Sequence, residues 1–371
     1  MKAKHFFLVF LSITMGTIGF VAAANYYFDY YGVFHADQPV VKTDILNDRF
    51  VKMTHILKNQ NYLSYDSFLW GSSRVLKMDT KVTGENTYNL GSPAGMTEDA
   101  LEQLEILIEN GARIKTVYVG LDDFSYYRNY DSVAENLLWI SYKDDWKKDI
   151  ETYSRYLLMP SILKHAMKAN YQSLTYYLGE NGTVVIPTQV EENIEDNVKK
   201  HIENPKFSEP RIYSGDEREP EEFYKCLSNL KRIQEVCKEH KINLKIFFNP
   251  QHMTTYLADD MELMNRFKKE LVKISPFWDF SGVNYVTSNN YFWYETSHPR
   301  AFICDKILDT VSGQNQITWV PDFGVYVTEE NVDELCEKAV RDREAYDPNH
   351  AQWVPSAEER EVMTKRVNYP W

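Results

Sequence analysis

The chain has 371 residues, with 54 acidic against 41 basic and a net charge of −13. That balance argues against a general nucleic-acid binder, which needs cations to displace phosphate counterions. Hydrophobic residues make up 43% and charged ones 26%, which excludes a disordered chain and suits one large α/β domain with insertions, or two domains.

The amino end carries the clearest topological signal. Lys2 and Lys4 lie in a short basic stretch, and residues 6–24 then run about 19 residues without a formal charge, close to the ~20 that span hydrocarbon. Tyr26, Tyr27, Tyr30 and Tyr31 follow, as an interfacial aromatic belt would. Basic residues on the short side predict a cytoplasmic amino end and an exported main part, residues 25–371. Ala22-Ala23-Ala24 also offers a signal-peptide cleavage site, but the length of the apolar run favours a retained anchor.

Residues 25–60 read as a polar, aromatic connector with a helix over 48–58. Phe68, Leu69 and Trp70 form a short apolar run, the first strand at 67–70. A loop leads to a short strand at 88–90, and the Gly91–Gly95 segment turns the chain. Thr97 is expected to cap a helix that Asn110-Gly111 ends. Residues 116–119 form a β-branched strand closed by Gly120. From 125 to about 220 the pattern changes. Residues 131–169 look helical, with Leu137, Leu138, Leu157, Leu158, Ile162 and Leu163; 171–182 looks turn-like and 191–203 is highly charged. This stretch reads as an insertion capping the sheet. A helix at 221–240, a strand at 242–248, one helix over 253–274, a strand at 277–280 and a helix at 299–312 follow. The tail from Ile317 has turns and a charged helix near 329–343. Strands alternating with helices predict a mainly parallel sheet covered on both faces. The expected division is an anchor at 1–24, the connector, and an α/β domain at 61–371 with the helical insertion.

Two stretches carry chemistry. Gly71-Ser72-Ser73-Arg74 follows the first strand, and the carboxyl ends of strands are where open α/β sheets bind ligands. Ser72 or Ser73 is a candidate nucleophile, with backbone N–H groups nearby for an oxyanion. Trp293-Tyr-Glu-Thr-Ser-His298-Pro299 places Glu295 and His298 three residues apart just before a helix, so one loop aims both side chains at the same point. His252, Asn249 and Asn89 are further polar candidates for the pocket. Four cysteines, Cys226, Cys237, Cys304 and Cys336, include no Cys-x-x-Cys pair, so a zinc or thioredoxin-like site is not indicated; paired and free thiols both stay open. The 26 Tyr and 8 Trp suit a carbohydrate cleft as well as core packing.

The order of these blocks resembles the SGNH hydrolase superfamily, and more closely the membrane-anchored, extracytoplasmic SGNH-like proteins of bacterial cell envelopes. The likeness rests on Asn25-Tyr-Tyr-Phe-Asp-Tyr-Tyr-Gly-Val-Phe34, Leu69-Trp-Gly-Ser-Ser-Arg74, Tyr88-Asn-Leu-Gly91, Val119-Gly-Leu-Asp122, Phe248-Asn-Pro250 and Asp322-Phe-Gly-Val325, and covers most of the chain. It implies a three-layer α/β/α, flavodoxin-like fold in a single-pass protein whose main domain lies outside the bacterial cell membrane. It implies Ser73 as nucleophile, His298 as base and Glu295 as the orienting carboxylate, with the N–H groups of Ser73 and Gly91 facing the oxyanion. Asp122 falls where the family has an oxyanion-donating asparagine, and an ionised carboxylate cannot donate; Asn89 or Asn249 would then have to serve. The implied activity is that of a serine esterase or O-acyltransferase, moving an acyl group, an acetyl group above all, from an ester donor to water or to a sugar or polyol of an envelope polysaccharide, with no metal or organic cofactor. A membrane acyl-transfer partner fits that setting. The alternative is a catalytically inactive member of the fold that binds a glycan or a membrane partner in polymer assembly or export.

Overall fold

The computed structural model describes residues 3–29, 33–35, 47–128, 146–159, 177–186, 188–211, 220–313, 323–347 and 350–364. Lys2, Tyr30, Tyr31, Leu137, Leu138, Ile162, Leu163, the stretch 171–176, Ile317 and Asp322, all used in the sequence reading, lie outside the described residues.

In chain order the strands are β1 Ser67–Trp70, β2 Thr87–Asn89, β3 Thr116–Leu121, β4 Tyr177–Leu178, β5 Val184–Val185, β6 Asn243–Phe248, β7 Phe277–Asp279 and β8 Val325–Val327. The helices are α1 Ala3–Phe28, α2 Asp48–Leu63, α3 Thr97–Glu109, α4 Trp146–Leu158, α5 Thr188–Asp196, α6 Val198–Ile202, α7 Pro220–His240, α8 Met253–Ala258, α9 Met261–Ile274, α10 Ala301–Ser312, α11 Val332–Ala345 and α12 Ala357–Thr364.

Six strands form one sheet in the order β2-β1-β3-β6-β7-β8. All neighbours are parallel except β8, which closes one edge antiparallel to β7. A parallel sheet needs cover on both faces, so its strands are apolar at successive positions. Alternation sorts them: Phe68, Trp70, Val117, Val119, Ile246 and Phe248 share one core with Met53 of α2, Leu104 of α3, Leu230 of α7 and Phe267 of α9. Leu69, Tyr118 and Phe247 enter the other core with Phe302, Ile303 and Ile307 of α10. The protein is therefore an α/β fold with a mostly parallel six-stranded sheet.

Several local expectations need correction. Thr97 is the first residue of α3 and not its cap; the N-cap is Met96, whose N–H is taken by the Asp99 carboxylate at 2.9 Å. An acid at the third helical position satisfies the free donor without a capping hydroxyl. The helix expected over 253–274 is two helices, because Asp260 accepts the Leu263 N–H at 3.0 Å and caps a new start. β3 runs two residues further than expected, to Leu121. Tyr177 and Leu178, in the stretch read as turn-like, pair with Val185 and Val184 as a small hairpin. The connector helix belongs with the α/β core, since Phe50, Val51, Met53 and Ile56 are all buried. α1 is long and apolar enough to cross a membrane, and it continues without a break through Ala22-Ala23-Ala24. The four cysteines are buried, and none of them forms a disulfide.

The carboxyl edge of the sheet is packed tightly enough to need glycine. β1 ends into Gly71, whose φ is +152°, and a Cβ there would sit 2.9 Å from the Gly120 carbonyl oxygen. At the end of β2 a Cβ on Gly91 would lie 2.5 Å from Val75 Cγ2. Val75 thereby locks the Ser72–Ser73 turn against the neighbouring strand ends. Gly91→Ala is expected to cost about 1–3 kcal/mol by overpacking, measured by urea denaturation, and adding Val75→Ala should return part of that loss.

Candidate active site

Ser73 sits on the turn after β1, partly exposed at the carboxyl edge of the sheet. His298 arrives from 225 residues away, on a loop folded back on itself just before α10. Trp293 and Pro299 form an isolated antiparallel bridge, the Tyr294 N–H reaches the His298 carbonyl at 2.9 Å, and the Arg300 N–H reaches that of Phe292 at 2.8 Å. This tight loop brings Glu295 alongside His298.

The three side chains form a hydrogen-bonded line. Ser73 Oγ is 2.8 Å from His298 Nε2, and His298 Nδ1 is hydrogen-bonded to Glu295 Oε1. An ionised carboxylate only accepts, so Nδ1 carries the proton and Nε2 presents its lone pair to the Ser73 hydroxyl. The other carboxylate oxygen accepts the Ser297 N–H at 3.0 Å, and the Arg211 guanidinium lies 3.6 Å from it. The extra methylene of glutamate is thus taken up within its own loop. Burial alone would raise the Glu295 pKa; the His298 hydrogen bond and charge, with Arg211, outweigh it and hold the group at about 2. Burial pushes the His298 pKa down to about 4 against the pull of Glu295, and the nearby cations Lys77 and Arg74 act in the same direction as burial. At neutral pH the pair is carboxylate and neutral imidazole, the state a general base requires.

Arg74, next to Ser73, fixes this line. It is 1% exposed. Its Nε donates to the Ser297 carbonyl at 2.9 Å and Nη2 to Ser297 Oγ at 3.3 Å. Its Nη1 donates to Asp122 Oδ1 at 2.7 Å and Asp123 Oδ1 at 2.5 Å. One guanidinium therefore ties the nucleophile turn, the His298 loop and the end of β3 together.

Around that line the remaining candidates have other work. Asp122 is fully buried, and its Oδ1 accepts from Arg74 and, at 3.2 Å, from Asn249 Nδ2. Burial pushes the Asp122 pKa up and Arg74 pulls it back. Asp122 Oδ1 is thus held by Arg74 and Asn249, and as a carboxylate the group has no proton to donate to an oxyanion, as its residue type implies. The Gly91 N–H is donated to Asn89 Oδ1 at 2.9 Å, so it too is turned from the expected oxyanion role. Asn89 Nδ2 in turn binds the Val75 carbonyl at 2.8 Å, which makes Asn89 a fastener of the nucleophile turn. The Ser73 N–H donates to no acceptor among the described residues. His252 caps α8, accepting the Thr254 N–H at 3.2 Å, and its Nε2 meets Asn290 Oδ1 at 2.9 Å; burial lowers its pKa to about 4.

Sequence reasoning left Ser297, Asp123 and Arg211 out of the site. Ser297 is adjacent to His298, and that adjacency was the available signal. A second network was also missed: Arg300 donates to Glu191 at 3.0 Å and to Glu195 at 2.7 Å, binding α5 to the loop just after His298. Among the described residues no group of three His, Cys, Asp or Glu side chains could hold a metal ion. No protein-family model matches the chain, and a search of curated proteins finds no match.

Arg74→Leu leaves Asp122 and Asp123 buried without their cation, and is expected to cost about 3–5 kcal/mol. Arg74→Lys should recover little, because an ammonium lacks the planar fork that reaches Ser297 and both carboxylates. Chemical denaturation of the two variants beside the parent checks both statements.

Proposed function

We propose that the protein is an extracytoplasmic serine esterase or O-acyltransferase of SGNH type, held at the outer face of a bacterial cell membrane by α1 as a retained anchor. The observation that carries the reading is the hydrogen-bonded line from Ser73 Oγ through His298 to Glu295. Ser73 Oγ attacks the carbonyl carbon of an acyl ester while His298 Nε2 takes its proton. Glu295 steadies the imidazolium, and the Ser73 N–H donates to the oxyanion. The tetrahedral intermediate collapses as its C–O bond to the leaving alcohol breaks and His298 returns the proton to that oxygen. Water, or a sugar or polyol hydroxyl, then gives its proton to His298 as it attacks the acyl-serine carbonyl, and the second intermediate collapses as the acyl C–Oγ bond breaks and His298 returns that proton to Ser73 Oγ. An envelope polysaccharide is the favoured acceptor and acetyl the favoured acyl group, with a membrane acyl-transfer protein as the supplier. The likeness of the sequence blocks supports this choice.

One observation favours a second reading. The Gly91 N–H is donated to Asn89, and Asp122, whose Oδ1 accepts from Arg74, stands where the family pattern has a donating asparagine, so two expected oxyanion donors are not available. A fold of this type that binds a glycan or a membrane partner without turning it over would have this feature.

A serine-reactive fluorophosphonate separates the two. The full-length protein in detergent is expected to gain one stoichiometric adduct by intact mass, lost in Ser73→Ala and His298→Ala. No adduct on folded protein that retains glycan binding would favour the second reading. With an acetyl ester substrate, Glu295→Gln should lower kcat by roughly 10⁴-fold, because the imidazole loses the carboxylate that sets its tautomer. The base must be neutral, so kcat/KM is expected to be flat from pH 7 to about 5 and to fall as pH drops through about 4, the value to which burial lowers His298. A midpoint near 6.5 would mean that the base is solvated.

A further inference from the structure

α4 follows the polar rule of a packed helix on one side only. Tyr156 is buried, and the Tyr153 ring packs against Phe34 and Phe50. Trp146 is 67% exposed, Ile150 61% and Leu158 48%. Successive by four and eight residues, they form a row that winds through about 120° of the helix, beginning on the side of Tyr153 and sharing its sector with Lys147 and Ser154. Glu151 and Arg155 form an exposed ion pair along its flank. A row of Trp, Ile and Leu in water is unfavourable.

The position of α4 says what covers the row. Asn25, in the last turn of α1, is 1% exposed, and its Nδ2 lies 3.2 Å from the Tyr156 carbonyl, 2.7 Å from that of Leu157 and 3.1 Å from that of Met159. It satisfies the free carbonyls at the carboxyl end of α4. Val21, Ala22 and Ala24 are half-buried, and α1 packs on α4 there. Tyr26 and Tyr27 remain exposed beside the junction. The end of α4 is therefore fixed where a spanning α1 leaves the hydrocarbon, at the depth that amphipathic helices and aromatic belts occupy.

We propose that α4 lies in the membrane interface, with Trp146, Ile150 and Leu158 in the boundary between headgroups and acyl chains and with Asn25 as its tether to the anchor. This goes beyond the proposed activity and requires only that α1 be in the bilayer. It has a consequence for the site. Asn47 at the start of α2 donates to the Tyr156 hydroxyl at 2.8 Å, and α2 grips the loop after β2 through Arg49 and Lys52. A helix lying on the membrane would thus set the height and tilt of the Ser73 edge.

The four native cysteines are buried, so a surface cysteine can be labelled selectively. The full-length chain is reconstituted in nanodiscs of phosphatidylcholine and phosphatidylglycerol, with an environment-sensitive fluorophore at Ile150→Cys, Met15→Cys or Glu235→Cys. Met15 reports insertion of α1, and Glu235, on the exposed side of α7, reports water. Lipids carrying a doxyl quencher near the headgroup are expected to remove most of the signal at 150 and little at 235, and lipids carrying it near the chain end most of the signal at 15, while iodide in the water quenches 235 and spares 150. Quenching at 15 without quenching at 150 overturns the proposal and leaves the anchor intact. A label at 150 shielded from both quenchers means that protein covers the row, and overturns it too. Absence of quenching at both 15 and 150 overturns the proposal and the anchor reading together. Asn25→Ala should reduce lipid quenching at 150 without changing it at 15; unchanged quenching would remove Asn25 as the tether.

Discussion

Everything at the carboxyl edge of the sheet depends on one buried guanidinium. Taking Arg74 out of water costs several kcal/mol unless its charge and its N–H groups are met. Asp122 and Asp123 meet the charge, and Ser297 supplies both of its oxygens. The partners come from the end of β3 and from the loop that carries His298, while Arg74 itself follows Ser73. A serine and a histidine 225 residues apart are therefore held in register by their immediate neighbours in sequence. The Ser73–His298 contact, one hydrogen bond worth about 1 kcal/mol, is too weak to organise three loops, whereas breaking the buried ion cluster beside it would cost about 3–5 kcal/mol.

The same cluster explains why some of the site was legible in the sequence and some was not. Strands β1, β3 and β6 are short apolar runs bounded by turn residues, so composition alone located them. The Ser73 turn and the Glu-x-x-His loop were picked out by the order of the sequence blocks, since either alone is a weak signal, and the structure brings Ser73, His298 and Glu295 together. Asp122 and Gly91 were placed at this edge of the sheet, and the structure gives the Asp122 carboxylate to Arg74 and the Gly91 N–H to Asn89. Sequence position fixes which loop a residue occupies, whereas the direction of a side chain or an N–H is decided by competition among neighbours. At Asp122 the competitor was Arg74, a buried cation that no periodicity announces. At Gly91 it was Asn89, two residues back, in a local side-chain turn. The break between α8 and α9 escaped for a similar reason, since the apolar positions continue through it and only the cap of Asp260 marks it.

The loop after β2 shows how thoroughly this edge is fastened from behind. Lys52 is fully buried, and its Nζ reaches the Gly91 carbonyl at 2.6 Å; burial pulls its pKa down to about 8 although Asp48 draws it up. Arg49 pairs with Asp99 at 2.8 Å and also bonds the Pro93 and Ala94 carbonyls, each at 3.2 Å. Cations held against backbone carbonyls leave that loop little freedom to swing an N–H toward a substrate. Gly91 is bonded through its N–H to Asn89 and through its carbonyl to Lys52, and turning it would break both contacts inside the protein.

On the proposed acyl-transfer reading, that rigidity bears on how the site would choose its acceptor. Loss of a single oxyanion donor lowers kcat by about 10²–10³-fold. Formation and breakdown of an acyl-serine both pass through an oxyanion at the same place, so the loss slows both steps. It cannot by itself favour a sugar over water as the acceptor. The choice between hydrolysis and transfer must instead come from how the acceptor is positioned and how water is kept from the acyl-enzyme. Ser73 and His298 are each only partly exposed, and the His298 loop is held by α5 through Arg300, Glu191 and Glu195. In the acyltransferase reading, acceptor preference would therefore reside in the elements that frame the mouth of the site, while Ser73, His298 and Glu295 perform the same proton transfers for either acceptor.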